Sequence, residues 1–542
     1  MQFRSFLVFT LLYICVVLVS GLEIMKDVPK PFSTRLAEMR KASQTILATE
    51  THEVPQSKPV FKGYRSGPVR APVYHDVPAM FIPSSGEQAI TDHGDTFVTI
   101  SLEIGDQHIK AIPDSGSFEL YIVDGDDCDL DLCVPAYKPV RSPQHFQPSS
   151  TFAKEIYFGS GTCGVELSFD SVKVHNELAL ATSSSTVLVP LWRIVEMDDN
   201  LASVWGDGLG FQGIVGLGFK GNTNKGVSES LLEEKVVLEA RTSTGLNPTR
   251  PGLASKALFG DVFAICLPRG EDAKPVDVLA QDASKSNGQG RLWWGASVPS
   301  TLSFIEAPVV GTRHWTIQVT AAYFQADGSD AGHHLCGTSA PGAALVDSGT
   351  SLIAMSEQKI SQLLATTIVG SLNPDCSNVD QMPDLIFDIG NGQKLTLPPD
   401  TYIMKIRGED LALLGNGRVV MEKGKVLNVN APPKSMIALS GASRNAITYC
   451  THAFMETPME TALVQGVEHE LIILGIPIFR EYTVKFDRNR ETLGFALHPF
   501  GTTCEQVSSE TSFAQVERSR SHPIRSLGSL RDLVFPDEFT LL

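Results

Sequence analysis

From Thr96 onward the chain alternates apolar and polar positions with a period of two. Val98, Ile100, Leu102 and Ile104 are separated by Thr99, Ser101 and Glu103. Successive side chains of a strand point to opposite faces, so this segment predicts a half-buried β-strand. Similar short apolar runs recur at 166–174, 262–267, 314–319, 384–389 and 482–486. Two stretches predict helices, 228–240 and 356–367, each opening on a Ser able to cap its first turn. Segments 219–227, 241–256, 270–290, 326–344 and 405–432 read as surface loops. Together these elements predict a mostly β protein.

The two ends of the chain break this pattern. Arg4 precedes an uncharged apolar run from Phe6 to Val19, which exits through Ser20 and Gly21. That is the layout of a signal peptide over residues 1–21, with a retained signal anchor as the alternative. No later stretch reaches the length needed to cross a bilayer, so the processed chain is expected to be soluble in the secretory pathway or outside the cell. Residues 22–75 carry weak helical spacing, with Leu36, Met39 and Ile46 set among charges, and leave through a Pro-rich stretch around 68–78. Residues after 500 show no clear period and are read as a C-terminal extension, 501–542.

Composition narrows the class. With 42% apolar and 19% charged residues in 542, the chain can build a core and is not disordered throughout. A net charge of −17 argues against nucleic acid or an anionic membrane as the main partner. The charge is uneven: residues 1–75 hold ten Lys/Arg against five Asp/Glu, a net +5 that leaves −22 for the remainder. A basic head on an acidic body suggests a segment that docks electrostatically and is released when carboxylates take up protons; a solvated basic linker is the plainer reading. Of nine cysteines, Cys15 lies in the signal segment, leaving eight for an oxidising compartment. Cys128 and Cys133 are spaced to close a small staple. No Asn-x-Ser/Thr sequon is present, since Asn247 is followed by Pro248.

Candidate chemistry lies in a repeated tetrapeptide. Asp114-Ser115-Gly116-Ser117 and Asp347-Ser348-Gly349-Thr350 each follow an apolar run. At average residue usage one such match is expected roughly 0.03 times in a chain of this length, so two constitute a signal. An Asp at a strand end followed by a Gly turn presents its carboxylate from a tight loop, and flanking hydroxyls can fix its plane. If two such loops face each other, the carboxylates share one proton, because like charges a few ångströms apart resist joint ionisation. One member can then activate water while its protonated partner polarises a carbonyl.

Around these loops the sequence resembles the pepsin-like aspartic peptidases, in order, over about residues 95–498. Cys128 to Cys133 with the following 145–152 segment resembles the family's small disulfide loop. Residues 156–162, Ile-Tyr-Phe-Gly-Ser-Gly-Thr, resemble its flap hairpin. Phe211 to Gly218 is similar to the segment that threads behind the first catalytic loop, and Leu474-Gly475 is its counterpart in the second half. Trp315-Thr316-Ile317 precedes the second Asp as in the family, and Tyr482 to Asp487 resembles a closing strand.

The resemblance implies a bilobed β fold with the active-site cleft between two related lobes, 89–298 and 299–500. It implies catalytic Asp114 and Asp347, with dyad support from Ser115, Gly116, Ser117, Ser348, Gly349 and Thr350. Substrate contacts from Tyr157, Phe158, Gly159, Ser160 and Tyr121, and disulfides Cys128–Cys133 and Cys376–Cys450, follow in the same way. Residues 22–88 are then a basic propeptide, with Lys62 near Tyr64 reaching toward the dyad. Protein or peptide substrates and the propeptide are the implied partners of a monomer, and water is the nucleophile, so no cofactor or metal is implied.

Several positions depart from the family. Pro113 stands where Phe is usual and removes a backbone donor, so local strand pairing must differ. Tyr121 replaces the usual Trp. Phe158 falls at the flap Tyr position with Tyr157 one residue earlier, and a slip of one residue would exchange them. These departures keep open a second function, a pepsin-fold binding or inhibitory protein without turnover. Two Gly-x-Gly-x-x-Gly matches, at 208–213 and 216–221, lack a βαβ context and do not predict a nucleotide site. His333-His334 with Cys336 reads as a solvated loop, Trp293-Trp294 as core packing and the Asp124 to Asp131 cluster as a surface loop.

Overall fold

The computed structural model divides the chain into two units, 1–58 and 59–542. Every residue it describes lies in the second, within 85–504. The segments not described within that range are 94–96, 126–135, 140–146, 159–160, 175–186, 199–200, 202–210, 220–236, 238–253, 269–289, 312–313, 327–328, 337–341, 357–358, 362–371, 374, 408–418, 423–424, 429–447, 457–462, 465–466, 469–470 and 498–503. The expected signal and basic segments, Cys128, Cys133, Gly159 and Ser160 therefore fall outside it, as does most of the helix expected at 228–240.

Strands dominate. The first half runs β1 (Ser85–Asp92), β2 (Val98–Ile104), β3 (Gln107–Asp114), β4 (Leu120–Val123), β5 (Gln147–Phe158), β6 (Gly161–Val174), β7 (Val187–Met197), β8 (Gly213–Gly216), β9 (Val262–Cys266) and β10 (Gly290–Gly295). The second runs β11 (Ile305–Pro308), β12 (Thr316–Val319), β13 (Ala321–Ala326), β14 (Ser329–Cys336), β15 (Gly342–Val346), β16 (Ile353–Met355), β17 (Asp384–Asp388) and β18 (Lys394–Leu397). It continues through β19 (Ile403–Arg407), β20 (Val419–Glu422), β21 (Lys425–Asn428), β22 (Thr448–His452), β23 (Phe454–Glu456), β24 (Leu463–Val464), β25 (Val467–Glu468), β26 (Leu471–Leu474), β27 (Tyr482–Asp487) and β28 (Thr492–Leu497).

One pattern occurs twice. In the first half β3 pairs antiparallel with β2 and parallel with β8, β8 antiparallel with β4, and β4 parallel with β7. In the second half β15, β12, β26, β16 and β23 repeat that arrangement. A late strand is thus inserted between two strands joined by an aspartate loop. Such threading needs residues without a Cβ at the crossing. A Cβ on Gly216 would stand 2.5 Å from the backbone N of Phe118 and Glu119, and one on Gly475 would strike the carbonyls of Thr350 and Leu352.

The halves are joined by two late strands. β27 pairs with β9 and β28 with β11, so strands of both halves lie in one thirteen-stranded sheet. Behind it Trp315, Phe263 and Phe486 pack ring to ring, with Phe263 and Phe486 stacked at 4.6 Å and Trp315 edge-on to Phe486 at 5.1 Å. Full burial of such apolar side chains is worth about 1.5–3 kcal/mol each. Trp293 and Trp294 are buried in β10, in agreement with core packing.

Several expectations change. The loop expected at 326–344 contains β14, so His333, His334 and Cys336 lie on a strand that pairs with β13. The loop expected at 405–432 contains part of β19 and the β20–β21 ribbon, and the loop at 241–256 runs into a helix at Ala254–Phe259. Glycine and charged residues interrupt the apolar alternation in these ribbons, which hid the strands. β1 begins at Ser85, so the expected boundary at 88 cuts a strand of the first half. Asp124 is buried, not at the surface: it meets Arg193, whose guanidinium also reaches Glu166 (3.0 Å) and Ser168 Oγ (2.8 Å). The pairing of Cys266, which the sequence left open, is with Cys504, and Cys376 is joined to Cys450.

Candidate active site

β3 and β15 each end in an aspartate loop, and the two loops meet across the halves. Ser115 N–H donates to Ser348 Oγ at 3.0 Å, and Ser348 N–H donates to Ser115 Oγ at 2.9 Å. Each serine hydroxyl also crosses to the opposite strand end, Ser115 Oγ to Val346 O (2.9 Å) and Ser348 Oγ to Pro113 O (2.6 Å). All four contacts are buried, where such bonds are electrostatically stronger and their loss costlier. Ser115 and Ser348 therefore clamp the loops as a reciprocal pair.

This clamp brings the carboxylates together. Gly116 N–H donates to Asp114 Oδ1 at 2.8 Å and Gly349 N–H to Asp347 Oδ1 at 2.9 Å. Each glycine also backs onto the opposite carboxylate: a Cβ on Gly116 would stand 2.7 Å from Asp347 Oδ1, and one on Gly349 would overlap Asp114 Oδ1. Asp114 and Asp347 are both buried, and each carboxyl bears on the ionisation of the other. Burial pushes the Asp114 carboxyl well above the usual carboxylate range, and the charge of Asp347 pushes it further. Burial also raises Asp347, opposed by its bonds to Asp114, Thr350 and Gly349. Such a pair holds one proton jointly over a range of pH.

Hydroxyl support is unequal. Thr350 Oγ1 donates to Asp347 Oδ2 at 2.6 Å. Ser117 lies close enough to Asp114 to favour its ionised form, yet neither Ser117 Oγ nor Asp114 Oδ2 makes a well-aligned hydrogen bond.

The hairpin β5–β6 carries the flap sequence, with Tyr157 opposite Thr162 and Phe158 opposite Gly161. Phe158 turns inward and is buried, its ring edge-on to Tyr121 at 5.4 Å, whereas Tyr157 lies on the outer side and is 42% exposed. This settles the alternative left by the sequence: the inward residue is Phe158, and the Tyr157 hydroxyl is not turned to the same face. Tyr121 belongs to β4, the strand leaving the first aspartate loop. Asp198 ties down the hairpin, since its Oδ2 accepts from Thr162 N–H at 2.7 Å and its N–H donates to Thr162 O at 2.9 Å. Cys163, just beyond, is a buried free thiol whose pKa is raised by burial.

Pro113 has the consequence expected of a missing donor. In the second half Val346 N–H donates to Trp315 O at 2.9 Å. Pro113 occupies the matching position and cannot donate, and the β2–β3 register stops at Ile100↔Ala111. The β12–β15 register reaches Thr316↔Leu345, one pair nearer its aspartate. Pairing of β3 with β8 is intact through Pro113↔Val215 and Asp114↔Gly216.

Among the described residues no group of His, Cys, Asp and Glu could hold a metal ion, and no helix is long and apolar enough to cross a membrane. The two disulfides fit folding in an oxidising compartment of the secretory pathway.

Comparison with known proteins points the same way. The family model described as eukaryotic aspartyl protease matches residues 277–415, which include the second aspartate loop. Cathepsin E of Mus musculus is 26% identical over 331 residues, covering 59% of this chain and 70% of the relative. Pepsin A of Bos taurus is 24% identical over 332 residues, covering 59% and 75%. Vacuolar protease A of Arthroderma otae is 22% identical over 339 residues, covering 60% and 70%. In its doubled threading of strands, its two clamped aspartate loops and these matches, the chain is similar to the pepsin-like aspartic peptidases.

Proposed function

We propose that the protein is an aspartic endopeptidase that hydrolyses peptide bonds with water as nucleophile. The observation that carries this reading is the mutual backing of the two loops, each glycine against the other half's carboxylate. Asp114 and Asp347 together hold one proton and one charge. The ionised member takes a proton from water as that water attacks the scissile carbonyl. The protonated member donates to the carbonyl oxygen, giving a tetrahedral diol. The carboxyl that took the water proton then gives it to the amide nitrogen while its partner takes back a hydroxyl proton, and collapse expels the amine with the dyad restored. Ser115 and Ser348 hold the loops together, and Thr350 stabilises the charge on Asp347. Phe158 and Tyr121 pack on one another beneath the hairpin, and substrates with bulky apolar residues beside the cleaved bond are expected from the family resemblance. Chemistry of this kind needs neither metal nor organic cofactor.

The basic segment ahead of β1 is read as a propeptide that neutralises part of the acidic body, and the enzyme as a monomeric zymogen of the secretory pathway. A pepsin-fold binding protein without turnover is the second reading. It is favoured by the flap residue Phe158, which has no hydroxyl to bond with.

The test is an assay of purified propeptide-containing protein, before and after acidification, on a pool of unstructured peptides from about pH 3 to about pH 7.5. Cleavage that a statine-type transition-state mimic inhibits and Asp114→Ala abolishes, by roughly 10³-fold or more, supports the peptidase. Tight binding of the mimic with no cleavage at any pH, even with the basic segment removed, supports the binding protein instead.

A further inference from the structure

Arg488 follows the last residue of β27, far in sequence from both aspartates, yet its guanidinium is bonded to the segment that backs the first aspartate loop. Nε donates to Phe219 O at 3.2 Å, and Nη1 to Gly260 O at 2.9 Å. Nη2 donates to Leu217 O at 3.0 Å, Gly218 O at 2.9 Å and Ser255 Oγ at 3.2 Å. The same group lies against the rings of Phe263 (5.2 Å) and Trp315 (5.6 Å). Its hydrogen-bond acceptors here are main-chain carbonyls and a hydroxyl. Asp261 acts on it through its charge, and burial draws the Arg488 pKa down to about 10, so it stays cationic wherever an acid peptidase would work.

Enclosing a cation against carbonyls is costly, and an apolar side chain would fill the space for less. What a guanidinium adds is a planar fork able to orient several acceptors at once. Those it orients are three consecutive carbonyls, 217–219, on the segment leaving β8. That segment bonds directly to the first aspartate loop, Leu217 N–H to Asp114 O at 2.6 Å and Gly218 N–H to Ser117 O at 2.7 Å. It also bonds toward the second. Trp315 Nε1 donates to Leu217 O at 2.9 Å, and Trp315 O accepts from Val346 N–H, the residue before Asp347.

We propose that Arg488 is a positioning residue for the dyad, holding segment 217–219 against Trp315 and so fixing the separation of the Asp114 and Asp347 carboxylates. The proposal rests on the peptidase reading above. The carboxylates share a proton because they are close, so letting them part weakens the sharing: the first ionisation becomes harder and the second easier. The charge of Asp347 acts on Asp114, and the neighbouring Asp114 carboxyl in turn bears on the ionisation of Asp347, so both limbs of a pH profile report this separation.

The experiment compares full-length wild type, Arg488→Met and Arg488→Lys, with Arg490→Met as a control in the same turn. Arg490 is exposed and pairs with Glu306, away from the carbonyls. Rates are normalised to folded protein. Arg488→Met is expected to lower kcat about 100-fold with KM changed less than about 3-fold. Its pH–rate bell narrows from both sides. Arg488→Lys keeps the charge but not the fork and recovers about one tenfold step of that loss. Arg490→Met leaves rate and bell unchanged. A lower melting temperature for Arg488→Met and Arg488→Lys with unaltered kcat and limbs would show a merely structural role and overturn the proposal. If Arg488→Met does not fold, Arg488→Lys decides alone.

A second readout separates this proposal from the reading beneath it: the pH dependence of statine-mimic binding, measured by calorimetry. Should wild type bind the mimic without cleaving peptides, the peptidase reading fails. A narrower binding window in Arg488→Lys would still uphold Arg488. An active wild type whose variant keeps the full window overturns Arg488 alone. A wild type that neither cleaves nor binds overturns both.

Discussion

The two aspartate loops carry nearly the same tetrapeptide, sit at the ends of matching strands and share a reciprocal serine clamp, yet they are not equivalent. The second is the better supported. Thr350 donates to Asp347, and the strand before it keeps the ladder bond from Val346 to Trp315. In the first loop Ser117 is not aligned on Asp114, and Pro113 removes the matching ladder bond. A repeated motif thus sets up a pair, and the differences around it divide the labour. Support from Thr350 favours charge on Asp347, which leaves the shared proton with Asp114.

The comparison breaks most completely at the glycines. Gly349→Ala would drive a Cβ into Asp114 Oδ1 from a loop held on both sides, so the carboxylates must part. A displacement near 1 Å costs activity about 10²-fold, and overpacking costs stability about 1–3 kcal/mol. Steady-state kinetics with denaturant unfolding checks both, and near-wild-type kcat would show that the loops can spread without harm.

A smaller effect sharpens the inequality. Thr350→Ala removes a bond that favours the ionised Asp347, so the Asp347 pKa rises. Because the active pair must carry one negative charge, the acid limb of the rate profile moves to higher pH, with a loss of about tenfold below it. Ser117→Ala removes no aligned bond and should change rate less than about 3-fold. Equal effects of the two substitutions on the acid limb would show that the loops share the charge evenly.

The smallest effect is expected from Pro113→Val, which restores a donor opposite the strand edge already used in the second half. A gain of about 0.5–1 kcal/mol in thermal or chemical unfolding, with kcat unchanged, is the expected outcome. A loss of stability would mean that the fixed backbone angle of Pro113 matters more than the missing bond.

What the sequence could disclose depended on the kind of interaction. The dyad was legible because Asp114 and Asp347 sit in a motif improbable twice over, and the strands because alternation is written residue by residue, as in Val98–Ile104. The inward flap residue was not, since a strand shifted by one position keeps its alternation while exchanging Tyr157 and Phe158. Cys266–Cys504 was hidden because pairing over 238 residues leaves no local trace. Arg488 was hidden more thoroughly. Its acceptors are carbonyls, which every residue has, so nothing in the residue types at 217–219 advertises the contact. The ring of Trp315 that it covers was visible only as part of a family-like segment.

The bond between Cys266 and Cys504 has a consequence for the chain as a covalent object. It joins the last strand of the first half's segment before residue 269 to a point seven residues beyond β28, so everything between belongs to one closed loop of polypeptide. A single backbone cut anywhere in that loop changes the number of chain ends but not the number of molecules. The strands β27 and β28, which bind the halves into one sheet, would stay attached through sulfur after such a cut. Separating the two sides of such a cut would require reduction as well as proteolysis.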